Sequence, residues 1–377
     1  MEQGSERNRQ RSKLTMADST HRAEVVPVVL EKHPNADALS IVKIYDGGYQ
    51  VIVRTADWPP EITKGVYVQP DSLVPLAQPE FAFLADPQKP GAVFARIKAR
   101  KLRGQWSMGL LIACPPAYAI GEDLAPLFEI KHYDPPEPGS GVTGGNSAPG
   151  PKYLKTPNAK GKHDSEPLGF EYPKYDVDSF RKYWKVFEQD EPLFITEKIH
   201  GANARFVYDG KDYHCATRTR YLYEDANNSW WKALNACPEL KDWLAQHPGV
   251  MAYAEIYGQV QDLKYGTAQG VPPRIATFDL LREGQWLGPE EARSLAPNIP
   301  WVPQLLNPDN CSEYFTFDFE KILALADGPT LVETIPWVGP KHVREGIVIS
   351  PLEERWHPKC GRVKLKIVSA EYLARSK

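Results

Sequence analysis

Leu193-Phe194-Ile195-Thr196-Glu197-Lys198-Ile199-His200-Gly201-Ala202-Asn203-Ala204-Arg205 is the stretch on which the reading of this chain turns. Leu193 to Ile195 form a short apolar strand, Thr196-Glu197-Lys198 run out of it, and Gly201 permits a turn that larger side chains resist. A lysine held at a strand end against a tight turn is placed as an amine nucleophile. The same Lys-x-x-Gly string is also an ordinary surface turn, so the rest of the chain has to decide.

The chain's 377 residues are enough for about two domains, each with a core. A formal net charge of −3 excludes a uniformly basic nucleic-acid coat but leaves room for a local basic face. Cys114, Cys215, Cys237, Cys311 and Cys360 are scattered, with no Cys-x-x-Cys pair. A reduced intracellular protein without a structural zinc is the simplest inference, cytoplasmic if the host is bacterial. Residues 1–20 are polar and charged with no apolar centre, which predicts a disordered tail and neither a signal peptide nor a membrane span.

Upstream of the lysine, Ala23 to Leu30, Ser40 to Tyr45, Tyr49 to Arg54, Gly65 to Val68, Val93 to Ala99 and Met108 to Ala113 read as strands. Asp46-Gly47-Gly48 is a hairpin turn between two of them. Short strands at this spacing predict a small all-β barrel over residues 21–131, for which the oligonucleotide-binding (OB) barrel is the commonest candidate. Arg96, Lys98, Arg100, Lys101 and Arg103 crowd one run of it. In a strand Arg96, Lys98 and Arg100 share a face and contact phosphates without reading sequence, with Trp106 near enough to stack on a base or sugar. A solvated edge strand guarded by charge is the alternative.

Residues 132–168 are rich in proline and glycine and almost devoid of aliphatic side chains, so they read as a linker. Residues 169–377 then form a second, α+β domain. It opens with a short helix carrying Val177, Phe180, Trp184 and Phe187 at helical spacing, and Ser229 to Gln246 reads as a longer helix. Arg205 to Tyr208, Tyr213 to Thr217, Val250 to Tyr257, Arg274 to Leu281, Ile347 to Ile349 and Val363 to Ile367 read as strands. No G-x-G-x-x-G, Walker loop or repeat is present, which disfavours the usual phosphate-loop folds.

Five further pieces follow Lys198 in order: Thr217-Arg218-Thr219-Arg220, Tyr253-Ala254-Glu255-Ile256-Tyr257-Gly258, Ala276-Thr277-Phe278-Asp279, Arg344-Glu345-Gly346-Ile347-Val348 and Arg362-Val363-Lys364-Leu365-Lys366. This ordered set resembles the motifs of the covalent nucleotidyltransferases, the polynucleotide ligases and RNA-capping enzymes. Lys198-Ile199-His200-Gly201, with Asn203 and Arg218 following it, resembles the phage RNA ligase 2 branch, although Ala202 stands where a threonine is often found. In the first domain, His33-Pro34-Asn35-Ala36-Asp37-Ala38-Leu39 and Arg96 to Gly104 resemble the OB domains of tRNA-binding proteins. Together with Pro70 to Pro75 and Ser107 to Ile112 they are also similar to the N-terminal domain of the Deinococcus-type RNA ligases. The resemblance implies an ATP-grasp-like ligase adenylation domain preceded by an OB-like barrel.

Such an enzyme attacks the α-phosphate of ATP with a neutral lysine, and a free lysine with a pKa of about 10.4 is neutral in only about one molecule in 2,500 at pH 7. Lys364 and Lys366 alternate with Val363, Leu365 and Ile367, so they are expected on one strand face, where their charge would help to discharge Lys198. An ordinary pair of exposed lysines has the same pattern. The resemblance implies that Phe278 stacks on adenine, that the main chain and side chain of Glu197 face the base edge, and that Glu255 accepts the ribose hydroxyls. It further implies that Arg218, Lys364 and Lys366 bind phosphate, that Glu345 holds Mg²⁺ or Mn²⁺ or its water shell, and that Asn203 serves the later steps. Read alone, Phe278 is equally a core aromatic, whereas Glu255 and Glu345 among apolar strand residues need a partner.

The expected activity is that of a three-step, ATP-dependent RNA ligase. Lys198 becomes lysyl-adenylate, AMP passes to a 5′-phosphate, and a 3′-hydroxyl closes a nick in a duplex with an RNA 3′ end. No obligate protein partner is implied. A GTP-using capping guanylyltransferase and a non-enzymatic RNA-binding or repair protein with a decayed second domain are the alternatives. Only eleven residues follow Lys366, so a further OB domain after it is not expected, and the N-terminal barrel is expected to grip the nucleic acid. On that division of labour, deleting residues 1–168 spares self-adenylylation and weakens sealing.

Overall fold

The structure is a computed structural model that describes residues 22–133, 172–218, 221–222 and 224–375. The expected tail, nearly all of the expected linker, and Thr219 and Arg220 lie outside the described residues.

The N-terminal domain is built of short antiparallel strands. Lys64–Val68 lies between Ala23–Pro27 and Leu110–Ala113, and Leu39–Ile44 between Leu30–Lys32 and Tyr49–Arg54. Ser72–Pro75 pairs with Phe94–Arg96 and with Lys131–His132, so the domain continues past its expected last residue. Alternate residues of these strands, among them Val25, Val66, Val68 and Ile112, fill a core with Phe81 and Phe128.

The run expected as one strand from Val93 to Ala99 is broken. Ile97 is drawn into the core, with its backbone bonded to Ser72 and Asp71, and pairing resumes only in the hairpin Ala99–Leu102 with Gln105–Met108. The cations therefore part company instead of sharing a face. Arg96 donates to Asp71 Oδ1 at 2.6 Å, and Lys98 donates to the Arg375 carbonyl at 3.1 Å. Arg100, Lys101 and Arg103 are exposed, Lys101 lying 5.6 Å from the Trp106 ring.

The second domain packs two sheets. One has six antiparallel strands, in the order Tyr221–Leu222, Tyr213–Ala216, Ala202–Tyr208, Met251–Tyr257, Arg274–Arg282 and Gln285–Trp286. The other runs Asp178–Ser179, Leu365–Val368, Gly346–Pro351 and Leu193–Lys198. The expected helix from Ser229 to Gln246 is two, Ser229–Asn235 and Pro238–Gln246, because Pro238 has no N–H to continue the first. Trp230, Leu234, Leu240 and Leu244 of this pair cover the six-stranded sheet through Phe206, Ala252 and Leu280.

The two domains are packed together. Barrel residues Val42, Val51, Tyr67 and Met108 share an apolar cluster with Ile199, Tyr257, Tyr265 and Tyr372. Arg181 donates to the Gly48 carbonyl at 3.0 Å, and the Tyr49 and Ser179 hydroxyls are 2.8 Å apart. A Cβ at Gly48 would lie 1.6 Å from the Arg181 carbonyl oxygen, so only glycine lets the surfaces meet. No helix among the described residues is long and apolar enough to cross a membrane.

Candidate active site

Strand Leu193–Lys198 sorts its side chains by alternation. Leu193 and Ile195 enter the core behind it, while Phe194, Thr196 and Lys198 line a cavity of about 330 Å³ between the two sheets. Lys198 pairs with Gly346, which brings Glu345 alongside, and Asn203 pairs with Glu255 on the facing sheet. Gly201 makes the passage between the sheets. A Cβ there would lie 2.1 Å from the Ile256 carbonyl oxygen, so the glycine serves a close backbone approach.

Phe278 reaches the cavity through an irregularity. Tyr253 pairs with Asp279 but Ala254 with Thr277, leaving Phe278 as the extra residue of a β-bulge, turned out of the alternation that buries its neighbours. It lines the cavity with its ring 4.6 Å from that of Tyr175. Glu197, Arg218, Lys364 and Lys366 also line it, so the adenylylation residues expected from the sequence meet in one place.

The electrostatics differ from the expectation. Lys198 Nζ lies 2.7 Å from Glu345 Oε1. Burial pulls the Lys198 pKa down, but Glu345 and then Glu255 more than offset this, and the net shift is upward. Lys364 and Lys366 are not among the main influences on Lys198, and each faces a carboxylate, Asp279 being shared with Arg362. Lys364 Nζ donates to Asp279 Oδ2 at 2.7 Å, and Lys366 Nζ lies 3.7 Å from Asp176 Oδ1. The regular strand begins only at Leu365, so the strand alternation expected to set the two lysines on one face starts after Lys364. Lys198 thus stands as an ammonium bound to a carboxylate.

Three features are not legible as site features in the sequence: the partners of Asp279, the burial of His200, and the reach of the barrel into the cavity. Asp279 is buried, with its carboxylate bonded to Lys364, to Tyr175 at 2.9 Å and to Arg362 at 2.6 Å, while Arg362 is also held by Glu354. Burial raises the Asp279 pKa, but Arg362 and Lys364 outweigh it and hold the carboxyl below its ordinary value. His200 is buried rather than a surface turn residue, with Nε2 at 2.6 Å from Asp262 and Nδ1 at 3.0 Å from the Tyr372 hydroxyl. Glu197, by contrast, is expected at the base edge from the sequence, and it does line the cavity, but its carboxylate already accepts from the Thr330 hydroxyl and the Leu331 N–H, both at 2.6 Å. Asp71 and Arg96 of the barrel line the same cavity as Lys198, the latter stacked 3.9 Å above the Tyr133 ring.

Burial, the dominant influence, pushes the Glu255 carboxyl up to about 8, against the opposing pull of Lys198. The folded protein therefore holds this proton more tightly than the unfolded chain, and stability falls as pH rises from about 4.5 to about 8. Glu255→Gln, a neutral group of the same shape, is expected to stabilise the nucleotide-free protein by about 1–3 kcal/mol at pH 8 and little at pH 5. Urea unfolding at both pH values checks this, and an equal loss of stability at both would refute it. The same variant is expected to bind nucleotide more weakly.

No group of three or more His, Cys, Asp or Glu side chains forms a metal cluster among the described residues, but two of the chain's own oxygens are available to a divalent cation. Glu345 Oε2 and Asn203 Oδ1 are buried without a hydrogen-bond partner among the described residues, and both residues line the cavity. Oxygen donors of this kind suit a hard cation or its water shell.

Residues 191–368 match the RNA ligase family model, and residues 24–114 match the OB-fold domain described as PHA02142. No curated protein matches the chain. Among solved structures, the apo form of a lysine-to-alanine variant of Naegleria gruberi RNA ligase R4a superposes with a TM-score of 0.71 at 20% identity, covering 94% of this chain and 98% of that one. A Naegleria gruberi RNA ligase variant with ATP and Mn has a TM-score of 0.69 at 20% identity, covering 93% and 97%. Another with AMP and Mn has 0.69 at 19%, covering 94% and 98%. At these identities the likeness is one of fold. In fold, the chain is an N-terminal OB-fold domain followed by a mixed α+β domain that is similar over residues 191–368 to the RNA ligases.

Proposed function

We propose that this pairing of an OB-fold domain with an RNA-ligase nucleotidyltransferase domain works as an ATP-dependent RNA ligase, of the kind the Deinococcus-type resemblance implies. It seals 3′-hydroxyl/5′-phosphate nicks in duplexes with an RNA 3′ end. The observation that carries the reading is Lys198 in the wall of a cavity of about 330 Å³, ion-paired at 2.7 Å to a carboxylate that has a spare buried oxygen.

In the first step the Lys198 amine attacks the α-phosphorus of ATP, the bond to pyrophosphate breaks, and AMP remains on Nζ as a phosphoramidate. A 5′-phosphate oxygen then attacks the same phosphorus and frees the lysine. Finally the 3′-hydroxyl attacks the activated 5′-phosphate and AMP leaves. Mg²⁺ or Mn²⁺ at Glu345, with Asn203 at hand, would neutralise phosphate charge. Engagement of Glu345 with anything but the ammonium removes the largest influence that keeps Lys198 protonated.

The remaining residues hold the substrate. Phe278 offers a face to adenine, and Glu255 faces the ribose. Lys364 and Lys366, each oriented by a carboxylate, meet the phosphates with Arg218, while Asp71 and Arg96 extend the site into the barrel. Arg100, Lys101 and Arg103, with Trp106, are free to contact the nucleic-acid backbone, whereas Lys98 is engaged by the Arg375 carbonyl.

Incubation with ATP or GTP labelled on the α-phosphate tests the first step. A covalent label with ATP at least about tenfold stronger than with GTP is expected, followed by sealing of a nick with an RNA 3′ end. A GTP-only label would instead favour the capping class, and no label with either nucleotide would leave only a nucleic-acid-binding protein.

A further inference from the structure

The wall of the cavity holds an arginine that no step above uses. Phe194 lies four residues before Lys198 on the same strand face, about 13 Å away at about 3.3 Å per residue. A nucleotide attached to Lys198 through its phosphorus and lying along this strand face carries the edge of its base remote from the ribose toward Phe194, which lines the same cavity. There the guanidinium of Arg293 lies 5.1 Å from the Phe194 ring and 5.0 Å from the Trp301 ring. One Arg293 nitrogen donates to the Val302 carbonyl at 2.9 Å, and no carboxylate pairs with the side chain among the described residues. Burial lowers its pKa to about 10. A half-buried cation with a single carbonyl partner, stacked between two rings in the wall of a cavity, has N–H groups to give to a ligand.

We infer that Arg293 is the residue that selects the base, by donating to N1 of adenine. This rests on the ATP reading of the site. Adenine presents an acceptor at N1, an amine at C6 and only a hydrogen at C2. Arg293 supplies the donor, Ser350, opposite Phe194 in the sheet, supplies a hydroxyl near the amine, and Pro289 and Ala292 give an apolar wall for C2–H. Guanine turns N1 into a donor and adds an amine at C2. The N1–H of guanine would meet the Arg293 N–H groups donor against donor, and its C2 amine would face the apolar wall of Pro289 and Ala292. A guanine amine against this wall would be buried without an acceptor, which disfavours GTP.

The test uses the full chain and its covalent labelling. Wild type is expected to label about 10- to 100-fold less efficiently with 1-deaza-ATP, which lacks the N1 acceptor, than with ATP, the loss lying in KM rather than in kcat. Arg293→Met is expected to lose a similar factor with ATP and nothing further with 1-deaza-ATP, and Arg293→Lys, which keeps a donor, to recover part of it. Equal use of ATP and 1-deaza-ATP by the wild type overturns the inference without any variant having to fold. So does an Arg293→Met variant that loses equally on both nucleotides. A wild type that labels with neither sinks the ligase reading itself, and the inference with it.

Discussion

Lys198→Ala is expected to reduce covalent labelling by ATP to below about one part in 10⁴ of the wild type, while the protein still joins a nick whose 5′ end already carries AMP, within about tenfold of the wild-type rate. Both halves follow from the site. No other amine can take the nucleophile's place: Lys364 is bonded to Asp279 at 2.7 Å and Lys366 faces Asp176 at 3.7 Å, so each is committed to a carboxylate on the cavity wall. Lys198→Arg is expected to fail equally, because a guanidinium stays protonated at any working pH. The last chemical step uses a 3′-hydroxyl as nucleophile and AMP as leaving group, and the lysine takes no part in it. Loss of the lysine leaves Glu345 unpaired, which suits it no less to a cation. Gel measurement of both reactions separates the outcomes. A label on Lys198→Ala equal to that of the wild type would remove the assignment, and loss of both reactions would mean that the substitution had disturbed the whole cavity.

The parts of the site that were legible in the sequence are those fixed by local rules. Lys198 and Glu255 sit in strands whose alternation can be read from a few residues, Glu345 stands immediately before the strand Gly346–Pro351, and the order of their motifs places them in one domain. The charge state of the lysine was not legible, because it depends on which groups meet across the fold. Glu345 and Glu255 lie far from Lys198 in sequence and close to it in space, and the expected cationic neighbours are neutralised by Asp176 and Asp279, carboxylates whose partners no local pattern reveals. The setting of His200 is hidden for the same reason, since Asp262 is 62 residues and Tyr372 172 residues away from it. Phe278 was ambiguous between core and cavity because a bulge, which shifts register by one residue, is invisible to a period of two. The split at Pro238 was readable and should have ended the first helix, whereas the break at Ile97 that scattered the basic run required knowing that a single isoleucine enters the barrel core.

Removal of the barrel is where structure and sequence reading diverge most in consequence. A chain beginning at residue 172 is expected to be poorly soluble and, where soluble, to label with ATP at least about 100-fold more slowly than the full chain, instead of keeping the first step intact. Taking the barrel away exposes Tyr257, Tyr265 and Tyr372, now covered by Tyr67, Met108 and their neighbours, and leaves the half-buried Arg181 without its carbonyl and aromatic partners. It also takes Asp71 and Arg96 out of the cavity that holds the nucleophile. Solubility and chemistry can be parted by leaving the barrel in place and changing Asp71 and Arg96 together to alanine, which removes an ion pair of 2.6 Å as a unit and leaves no orphaned charge. That double variant is expected to keep the wild-type melting temperature within about 2–4 °C and to lose about tenfold or more in the rate of labelling. If it labels as the wild type does, the barrel acts on nucleic acid alone and its contact with the second domain is only structural. If it labels slowly but accepts an already adenylylated nick at the usual rate, the barrel is part of the machinery that positions ATP.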